Sequence, residues 1–384
     1  MHSTTFAQID VPTPKGQQAL IWQSAHGSRP PARIELVNAN WRADRAYRAM
    51  SQGSGLLWHG DWHQGKQMMA ALKRRLQTSS QASAQSLAAI ELPDRFHRIR
   101  LKRSQAARLL GLLVVEVKPG YQIDLPRAPA AYEALSLAYG EQLHNQHFVV
   151  PLSELIGIFS AFEWHRKGLP VQALGHSIYP RWGVFAPTRH EYLDLVMQAA
   201  LPEPCQTAVD VGTGTGVLAM LLAKRGVGQI IATDTNPAAL ACAQDNITRA
   251  GLQSQIQVVD TDLMPDGKFD LVVCNPPWLP GAASGPLEAA VYDPQHRMLR
   301  GFLDGVGEHL QPLGQAWLIL SDLAEHLKLR KRTDLLAWIE AAGLSVVDRL
   351  DSRPGHRKLE DLNDPLAPCR QAEITSLWQL RLSS

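Results

Sequence analysis

From Thr207 onward, short apolar segments alternate with amphipathic segments of helical period. This alternation indicates right-handed crossover connections and a mostly parallel, doubly wound sheet with helices on both faces. The predicted strands are residues 207–211, 229–233, 255–259, 269–273, 315–320, 344–349 and 373–381. The predicted helices include residues 216–225, 237–250, 294–311 and 331–342. The fold class of this part of the chain is therefore α/β.

A chain of 384 residues exceeds the usual size of one domain, so two domains are expected. The helical pattern stops near residues 174–177, which predicts an N-terminal α+β domain over residues 1–175 and a second domain over residues 176–384. Within the first, we predict an extended lead at 1–16, a strand at 33–38, a helix at 41–50, a loop at 55–65, a basic helix at 66–76, a linker or Ala-rich helix at 78–89, and mostly helix at 128–175.

The composition is that of an ordinary globular protein, with 45% apolar and 19% charged residues. No run approaches the roughly 20 apolar residues that a membrane helix needs, and the first residues lack the pattern of a secretory signal. These features predict a cytoplasmic location and no membrane partner.

The four cysteines are far apart and form no CxxC pair, so neither a disulfide framework nor a zinc site is predicted. Histidines 144, 147 and 165 have no carboxylate or thiol at metal-ligand spacing and are interpreted as structural or surface residues. The sequence therefore predicts no metal site.

The small net charge of +2 conceals an asymmetry between the two halves of the chain. Residues 1–180 contain 20 Lys or Arg and 12 Asp or Glu, whereas residues 181–384 contain 18 and 24. The basic residues are concentrated at 95–108. This segment is either a solvated basic face or a patch that contacts nucleic acid or the ribosome.

A glycine-rich turn follows the strand at 207–211, with Asp210 followed by Gly212, Gly214 and Gly216. Glycines let the backbone turn tightly and approach a ligand that a Cβ would block. Asp234 ends the next strand, where a carboxylate can accept both hydroxyls of a ribose. The alternative is a glycine-rich turn with a purely structural role.

This pattern suits a dinucleotide or S-adenosylmethionine, and two features favour the latter. The third glycine follows the second by two positions, whereas a pyrophosphate-binding loop places it three positions later. An acid at position 210 would repel a diphosphate but attracts an ammonium and a sulfonium group. Asp262, just past the third strand, is placed to reach an adenine amino group or else to cap the local backbone.

The segment Asn275-Pro276-Pro277-Trp278 directly follows the apolar run at 269–273. The lone pair of a planar NH2 group is delocalised, so the nitrogen is a poor nucleophile until it is made more tetrahedral. The side-chain oxygen of Asn275 and the carbonyl oxygen of Pro276 can each accept one N–H bond and direct the lone pair at a methyl group. Pro277 adds stiffness and Trp278 a stacking face. The alternative is a structural turn with a core tryptophan.

Together, DVGTGTG, Asp234, Asp262 and NPPW resemble the class I S-adenosylmethionine-dependent N-methyltransferases with an Asn-Pro-Pro-aromatic motif. This group includes release-factor glutamine methyltransferases, DNA adenine methyltransferases and ribosomal guanine-N2 methyltransferases. The resemblance covers residues 178–384 and implies a Rossmann-like, seven-stranded methyltransferase sheet. It also implies that residues 176–384 are catalytic and residues 1–175 accessory or substrate-recognising.

The release-factor type is the most similar, because Tyr292, Asp293 and Pro294 resemble its short acidic-Pro element. Its Pro-Arg segment is loosely matched by FAPTRHEY, where Phe185 and Arg189 would line the cofactor mouth. The chain departs from this type in having Trp278 for the usual Tyr and in having a longer N-terminal region.

The main hypothesis is transfer of a methyl group to a protein glutamine amide or a nucleobase amine in the translation machinery. The partner is thus a macromolecular substrate, protein or RNA. Alternatives are a non-catalytic S-adenosylmethionine- or RNA-binding module, and a nicotinamide-dependent oxidoreductase, for which the glycine spacing is wrong. The predicted catalytic residues are Asn275, Pro276, Pro277 and Trp278. The predicted cofactor-binding residues are Phe185, Arg189, Asp210, Gly212, Thr213, Gly214, Gly216, Asp234, Thr235, Asn236, Asp262 and Asn275.

Overall fold

The computed structural model describes residues 6–13, 16–81, 89–283, 285–355 and 364–383. The chain divides into two compact units, residues 1–163 and residues 164–384. The sequence-based division between residues 175 and 176 remains a prediction about domain organisation.

The first unit is built on a mixed six-stranded sheet in the order β1-β2-β6-β5-β4-β3. Strands β3, β4 and β5 run parallel, and β6 is antiparallel to β5. The strands are β1 (Gln8–Thr13), β2 (Gly16–Trp22), β3 (Arg33–Val37), β4 (Ser54–Trp58), β5 (Leu113–Val117) and β6 (Phe148–Pro151). The helices are α1 (Ala43–Ser51), α2 (Trp62–Gln81), α3 (Leu92–Leu110), α4 (Tyr132–Tyr139) and α5 (Leu152–Lys167), which runs into the second unit.

Several local predictions for this unit were wrong. The predicted loop at 55–65 contains most of β4, because the apolar side chains of Leu56, Leu57 and Trp58 are buried in the sheet despite the flanking glycines. The predicted extended lead does contain an extended segment, β1, and the region 128–175 is mostly helical as predicted but also contains β6. Of the predicted linker at 78–89, residues 78–81 continue α2 and residues 82–88 lie outside the described part of the chain.

The second unit contains the predicted seven-stranded sheet, in the order β11-β10-β9-β12-β13-β15-β14. Its strands are β9 (Thr207–Val211), β10 (Gln229–Asp234), β11 (Ile256–Asp260), β12 (Phe269–Cys274), β13 (Leu310–Ser321), β14 (Leu344–Ser352) and β15 (Thr375–Leu382). Only β15 runs antiparallel to its neighbours in this sheet. A separate two-stranded sheet pairs β7 (Leu169–Val171) with β8 (His176–Ile178). The mostly parallel α/β sheet is therefore confirmed.

The helices of this unit cover both faces of the sheet. They are α6 (Glu191–Gln198), α7 (Val217–Lys224), α8 (Pro237–Arg249), α9 (Pro286–Ala289), α10 (Arg297–Val306), α11 (Leu323–His326), α12 (Arg332–Ala341) and α13 (Ala367–Ala372). The helix predicted at 294–311 is shorter, because Gln295 and His296 both have a φ of 56° and end the preceding 3-10 turn at residues 294–296.

Alternate residues of β13 face two separate apolar clusters, one on each face of the sheet. Trp317 and Ile319 pack into one cluster, and Leu318 and Leu320 into the other. This is the period-two alternation expected of a strand covered on both sides. Among the described residues, no helix is long and apolar enough to cross a membrane.

We expect Phe302→Ala to lower the free energy of unfolding by about 3–5 kcal/mol, because the ring on α10 is fully buried and its removal leaves a cavity. Urea denaturation followed by circular dichroism measures this change. Leu313→Ala is the control, because Leu313 is 64% exposed and its truncation should change stability by less than about 0.5 kcal/mol. Equal effects of the two substitutions would contradict the described packing.

Candidate functional site

Four adjacent parallel strands, β11, β10, β9 and β12, bring the predicted residues to one end of the sheet. Val211 pairs with Thr233 of β10 and with Cys274 of β12. On the outer side, Asp234 of β10 pairs with Asp260 of β11. The chain leaves these strands at the predicted glycine loop, at Asp234, at Asp262 and at Asn275. The strand register thus places most of the predicted site residues at the carboxyl end of these parallel strands.

The glycine loop has a backbone that only glycine adopts readily. Gly212, Gly214 and Gly216 have φ values of 69°, 56° and 80°, all in the left-handed region. A Cβ on Gly216 would lie 3.3 Å from the Cα of Ala243, so this glycine also allows α7 and α8 to approach closely. A Cβ on Gly214 would meet nothing within 4 Å, so the middle of the loop faces open space.

Asp210 lies at the base of this loop and is fully buried. Its Oδ2 accepts hydrogen bonds from the Thr213 hydroxyl at 2.7 Å and the Ala219 backbone N–H at 3.0 Å. Among the described residues, its Oδ1 has no hydrogen-bond partner. Burial raises the pKa of Asp210 to about 6, and the neighbouring Asp234 charge acts in the same direction. A positive charge brought close by a ligand would stabilise the ionised form.

Asp234 fastens the glycine loop to the end of β10. Its Oδ2 accepts from the Gly214 N–H at 3.1 Å and its Oδ1 from the Asn236 N–H at 2.9 Å. Each carboxylate oxygen can accept a further hydrogen bond, and the binding of a ribose diol by Asp234 stays a prediction. Thr235 is exposed, and the Asn236 side chain caps α8 by accepting from the Ala238 N–H at 3.0 Å. The predicted cofactor contacts of these two residues remain predictions.

Asp262 is exposed and faces a basic residue of α10. Its Oδ2 lies 3.6 Å from Nη2 of Arg297, and both side chains are mostly in solvent. Such a pair contributes little to stability. Asp262 is therefore accessible to a ligand from the β11 side.

A hydrogen bond joins the two polar side chains of the NPPW loop, Asn275 and Trp278. The indole N–H of Trp278 donates to Oδ1 of Asn275 at 2.9 Å. This bond uses one of the two acceptor positions of the amide oxygen and leaves the other. Pro276 is buried between these two residues. Both side chains predicted to grip a planar NH2 group are therefore in contact with each other.

The acidic-Pro element supports the NPPW loop through its backbone. The Leu279 N–H donates to the Val291 carbonyl at 3.1 Å, and the Asp293 N–H donates to the Leu279 carbonyl at 2.8 Å. The buried Asp293 carboxylate accepts from the backbone N–H groups of Met298 and Leu299, both at 3.0 Å. Asp293 therefore caps α10 while it holds the loop, a role that its sequence position alone did not reveal.

Arg189 lies over the face of Trp278, with the guanidinium carbon 4.6 Å from the ring centroid. It donates to Glu191 at 2.5 Å, to Glu373 at 2.9 Å and to the hydroxyl of Thr375 at 3.0 Å. This network joins the residues before α6 to the start of β15 and covers one face of the indole. Its predicted place at the cofactor mouth remains a prediction.

Phe185, the other residue predicted at the mouth, is 42% exposed on the segment before α6. Its cofactor role also remains a prediction.

Sequence reasoning missed Met298 and Glu373. A Cβ on Gly212 would lie 2.6 Å from Cε of Met298, so the methionine covers the start of the glycine loop. Glu373 is 1% exposed and also accepts from Ser321 at 2.6 Å. Neither residue belongs to a motif, and only the tertiary fold brings them to the site.

Among the described residues, no group of three or more His, Cys, Asp or Glu side chains could hold a metal ion. Cys242, Cys274 and Cys369 are buried, and Cys205 is partly buried; all four are free thiols.

Comparison with known proteins shows what the chain is similar to in sequence. Residues 176–332 match the family model described as methyltransferase small domain. The chain is 32% identical over 188 residues to a release factor glutamine methyltransferase of Cereibacter sphaeroides, covering 45% of this chain and 64% of the relative. It is 34% identical over 183 residues to the same-named protein of Mycolicibacterium smegmatis, covering 46% and 58%.

A shorter match, 44% identical over 84 residues, is to a tRNA1(Val) (adenine(37)-N6)-methyltransferase of Parabacteroides distasonis, covering 21% of this chain and 35% of the relative. The chain thus spans less than two thirds of the length of these relatives. The predicted resemblance to class I methyltransferases is confirmed, and residues 176–332 are the part of the chain that matches the methyltransferase small domain model.

Proposed function

We propose that this chain transfers a methyl group from S-adenosylmethionine to a planar NH2 nitrogen. The observation that carries the proposal is the pairing of Val211 with Cys274, which sets the glycine loop and Asn275 side by side at adjacent strand ends. The names of the relatives support it, because a glutamine amide and the N6 amine of adenine are both planar NH2 groups.

The residues of the loop fit S-adenosylmethionine. The open space at Gly214 admits a ligand against the backbone, and the unpartnered Oδ1 of Asp210 supplies buried negative charge for a cation. Asp234 and Asp262 offer carboxylate oxygens for hydroxyl and amino donors. When bound, the cofactor supplies an electrophilic methyl group on a positively charged sulfur.

On the acceptor side, the remaining acceptor position of Asn275 Oδ1 and the carbonyl oxygen of Pro276 would bind the two N–H groups. Both bonds favour a more tetrahedral nitrogen whose lone pair is available for attack. Arg189 lies over the Trp278 ring at 4.6 Å from its centroid, and the indole is placed to border the acceptor through its bond to Asn275. In the transfer, an N–C bond forms, the S–C bond breaks, and one proton leaves the nitrogen.

The acceptor in this proposal is a protein or an RNA of the translation machinery, and the reaction takes place in the cytoplasm. The relatives named above support a macromolecular acceptor of this kind. Purified protein and methyl-labelled S-adenosylmethionine, incubated with extract from cells that lack the enzyme, test this directly. Label lost to nuclease identifies nucleic acid, and label lost to protease identifies protein. Absence of S-adenosylmethionine binding in calorimetry would refute the proposal.

For Asn275→Ala, we expect label transfer to fall about 100- to 1000-fold, as when one transition-state hydrogen-bonding group is removed. The affinity for S-adenosylmethionine should fall less than transfer does, because the variant keeps the glycine loop and its acids and loses only one of the predicted cofactor contacts. Calorimetry and label transfer measure the two effects. Asn40→Ala, at an exposed turn, is the control. Full transfer activity in Asn275→Ala would exclude the proposed role, and binding without transfer in the wild type would indicate a non-catalytic module.

For Trp278→Phe, we expect label transfer to fall about 3- to 10-fold, the value of one lost hydrogen bond, because a ring face remains but the N–H donor to Asn275 is gone. Trp164→Phe is the matched control, since Trp164 is 56% exposed. An unchanged rate in Trp278→Phe would show that the bond to Asn275 does not contribute to transfer.

The binding of S-adenosylmethionine should weaken as the pH falls from 7 to 5. Asp210 has a pKa of about 6 in the ligand-free protein, and a bound cation lowers that pKa, so protonation opposes binding. If the bound pKa is about 4, the dissociation constant at pH 5 is raised about tenfold. The amino group of the ligand stays charged over this range, since α-amino groups titrate near about 7.7. In Asp210→Asn, calorimetry should show weaker binding without this pH dependence; a retained dependence would assign it to another group.

A further inference from the structure

The first unit carries a layer of basic helices that the proposed transfer chemistry does not use. Helices α1, α2 and α3 connect the parallel strands β3, β4 and β5, and α2 packs against both of the others. Because successive right-handed crossovers in one direction lie on one face of a sheet, the three helices form one layer. We call them the basic helical layer.

The charge of this layer is strongly one-sided. Its helices contain twelve Lys or Arg residues and only two acidic residues, Asp44 and Asp94. Asp44 is already paired with Arg75. By contrast, the next two helices, α4 and α5, contain three acidic and two basic residues. The surplus of positive charge therefore belongs to the layer and not to the unit in general.

The middle of α3 is the most accessible part of the layer. The five consecutive residues 101–105 are all exposed, and together they make more than one helical turn. Side chains on every side of this turn are therefore exposed to solvent. It presents Lys102 and Arg103, and Arg98 is exposed one turn earlier. Several cations can thus meet a partner at once.

We propose that the basic helical layer binds the phosphate backbone of RNA, which makes RNA the acceptor class of the methyl transfer. The choice of RNA rests on the proposed function, whereas the phosphate contacts rest on the charge of the layer. Nine of the twelve cations are Arg, whose planar guanidinium group matches phosphate oxygens. Among the described residues of these helices, Leu101 is the only large apolar side chain that is exposed. A protein partner would normally need a larger apolar centre.

The test is fluorescence anisotropy of the full chain with a labelled RNA hairpin of about 20 nucleotides, at salt concentrations between about 50 and 200 mM. The test variant is Arg98→Gln, Lys102→Gln, Arg103→Gln. Loss of three phosphate contacts should lower the slope of log affinity against log salt by about 2, and weaken binding roughly 100-fold near 0.1 M salt. The matched control removes three exposed cations outside the layer, by Arg29→Gln, Arg166→Gln and Lys167→Gln. It should bind the RNA as the wild type does.

Two results would overturn the inference. One is an unchanged affinity and salt slope in the layer variant; the other is binding of polyglutamate by the wild type as tight as its binding of RNA, which would indicate an acidic protein partner. Circular dichroism and calorimetry with S-adenosylmethionine show whether the variant remains folded. The same calorimetry separates the two proposals. If the wild type does not bind S-adenosylmethionine, methyl transfer is refuted, whereas the binding of RNA is still tested by anisotropy.

Discussion

The parallel pairing of β9 with β10 and β12 determines where the glycine loop, Asp234 and Asn275 lie. Val211 pairs with both Thr233 and Cys274. The residues that follow these three strands therefore lie together at the carboxyl end of the sheet. A slip of one residue would move Val209 and Val211 out of their cluster and bring Asp210 to that face of the sheet, so the packing of both faces keeps the register. The packing of the sheet therefore positions polar groups that do not themselves stabilise it.

Buried negative charge is the second constraint on the site. Asp210, Glu191, Asp293 and Glu373 are all less than 10% exposed, and Arg189 pairs directly with two of them. Desolvating an ionised carboxylate is costly unless hydrogen bonds or an opposite charge compensate it. Most of these oxygens receive such bonds, whereas Oδ1 of Asp210 and Oε2 of Glu373 receive none among the described residues. These two unpaired oxygens cost stability, and they make the surroundings favourable for a positively charged ligand.

The sequence was most informative where local pattern and fold agree. The central strands of the second sheet were predicted because parallel strands covered on both faces are short, continuous apolar runs. The motif residues could be located because they follow those strands. The contacts of Met298 and Glu373 could not be predicted, since they depend on tertiary approach between distant segments. In the first unit, β4 was mistaken for a loop because its glycines concealed a fully buried strand.

The hydrogen bond from Trp278 to Asn275 also determines the orientation of the Asn275 carboxamide, with the oxygen toward the indole N–H. A half-turn of the amide would place its NH2 group against the indole N–H, so that two donors would face each other at about the 2.9 Å now bridged by a bond. The flipped rotamer is therefore disfavoured before any acceptor arrives. In the proposed transfer, an incoming NH2 group would meet an oxygen that is already aligned, and the entropic cost of ordering this side chain would be met on folding rather than in each turnover.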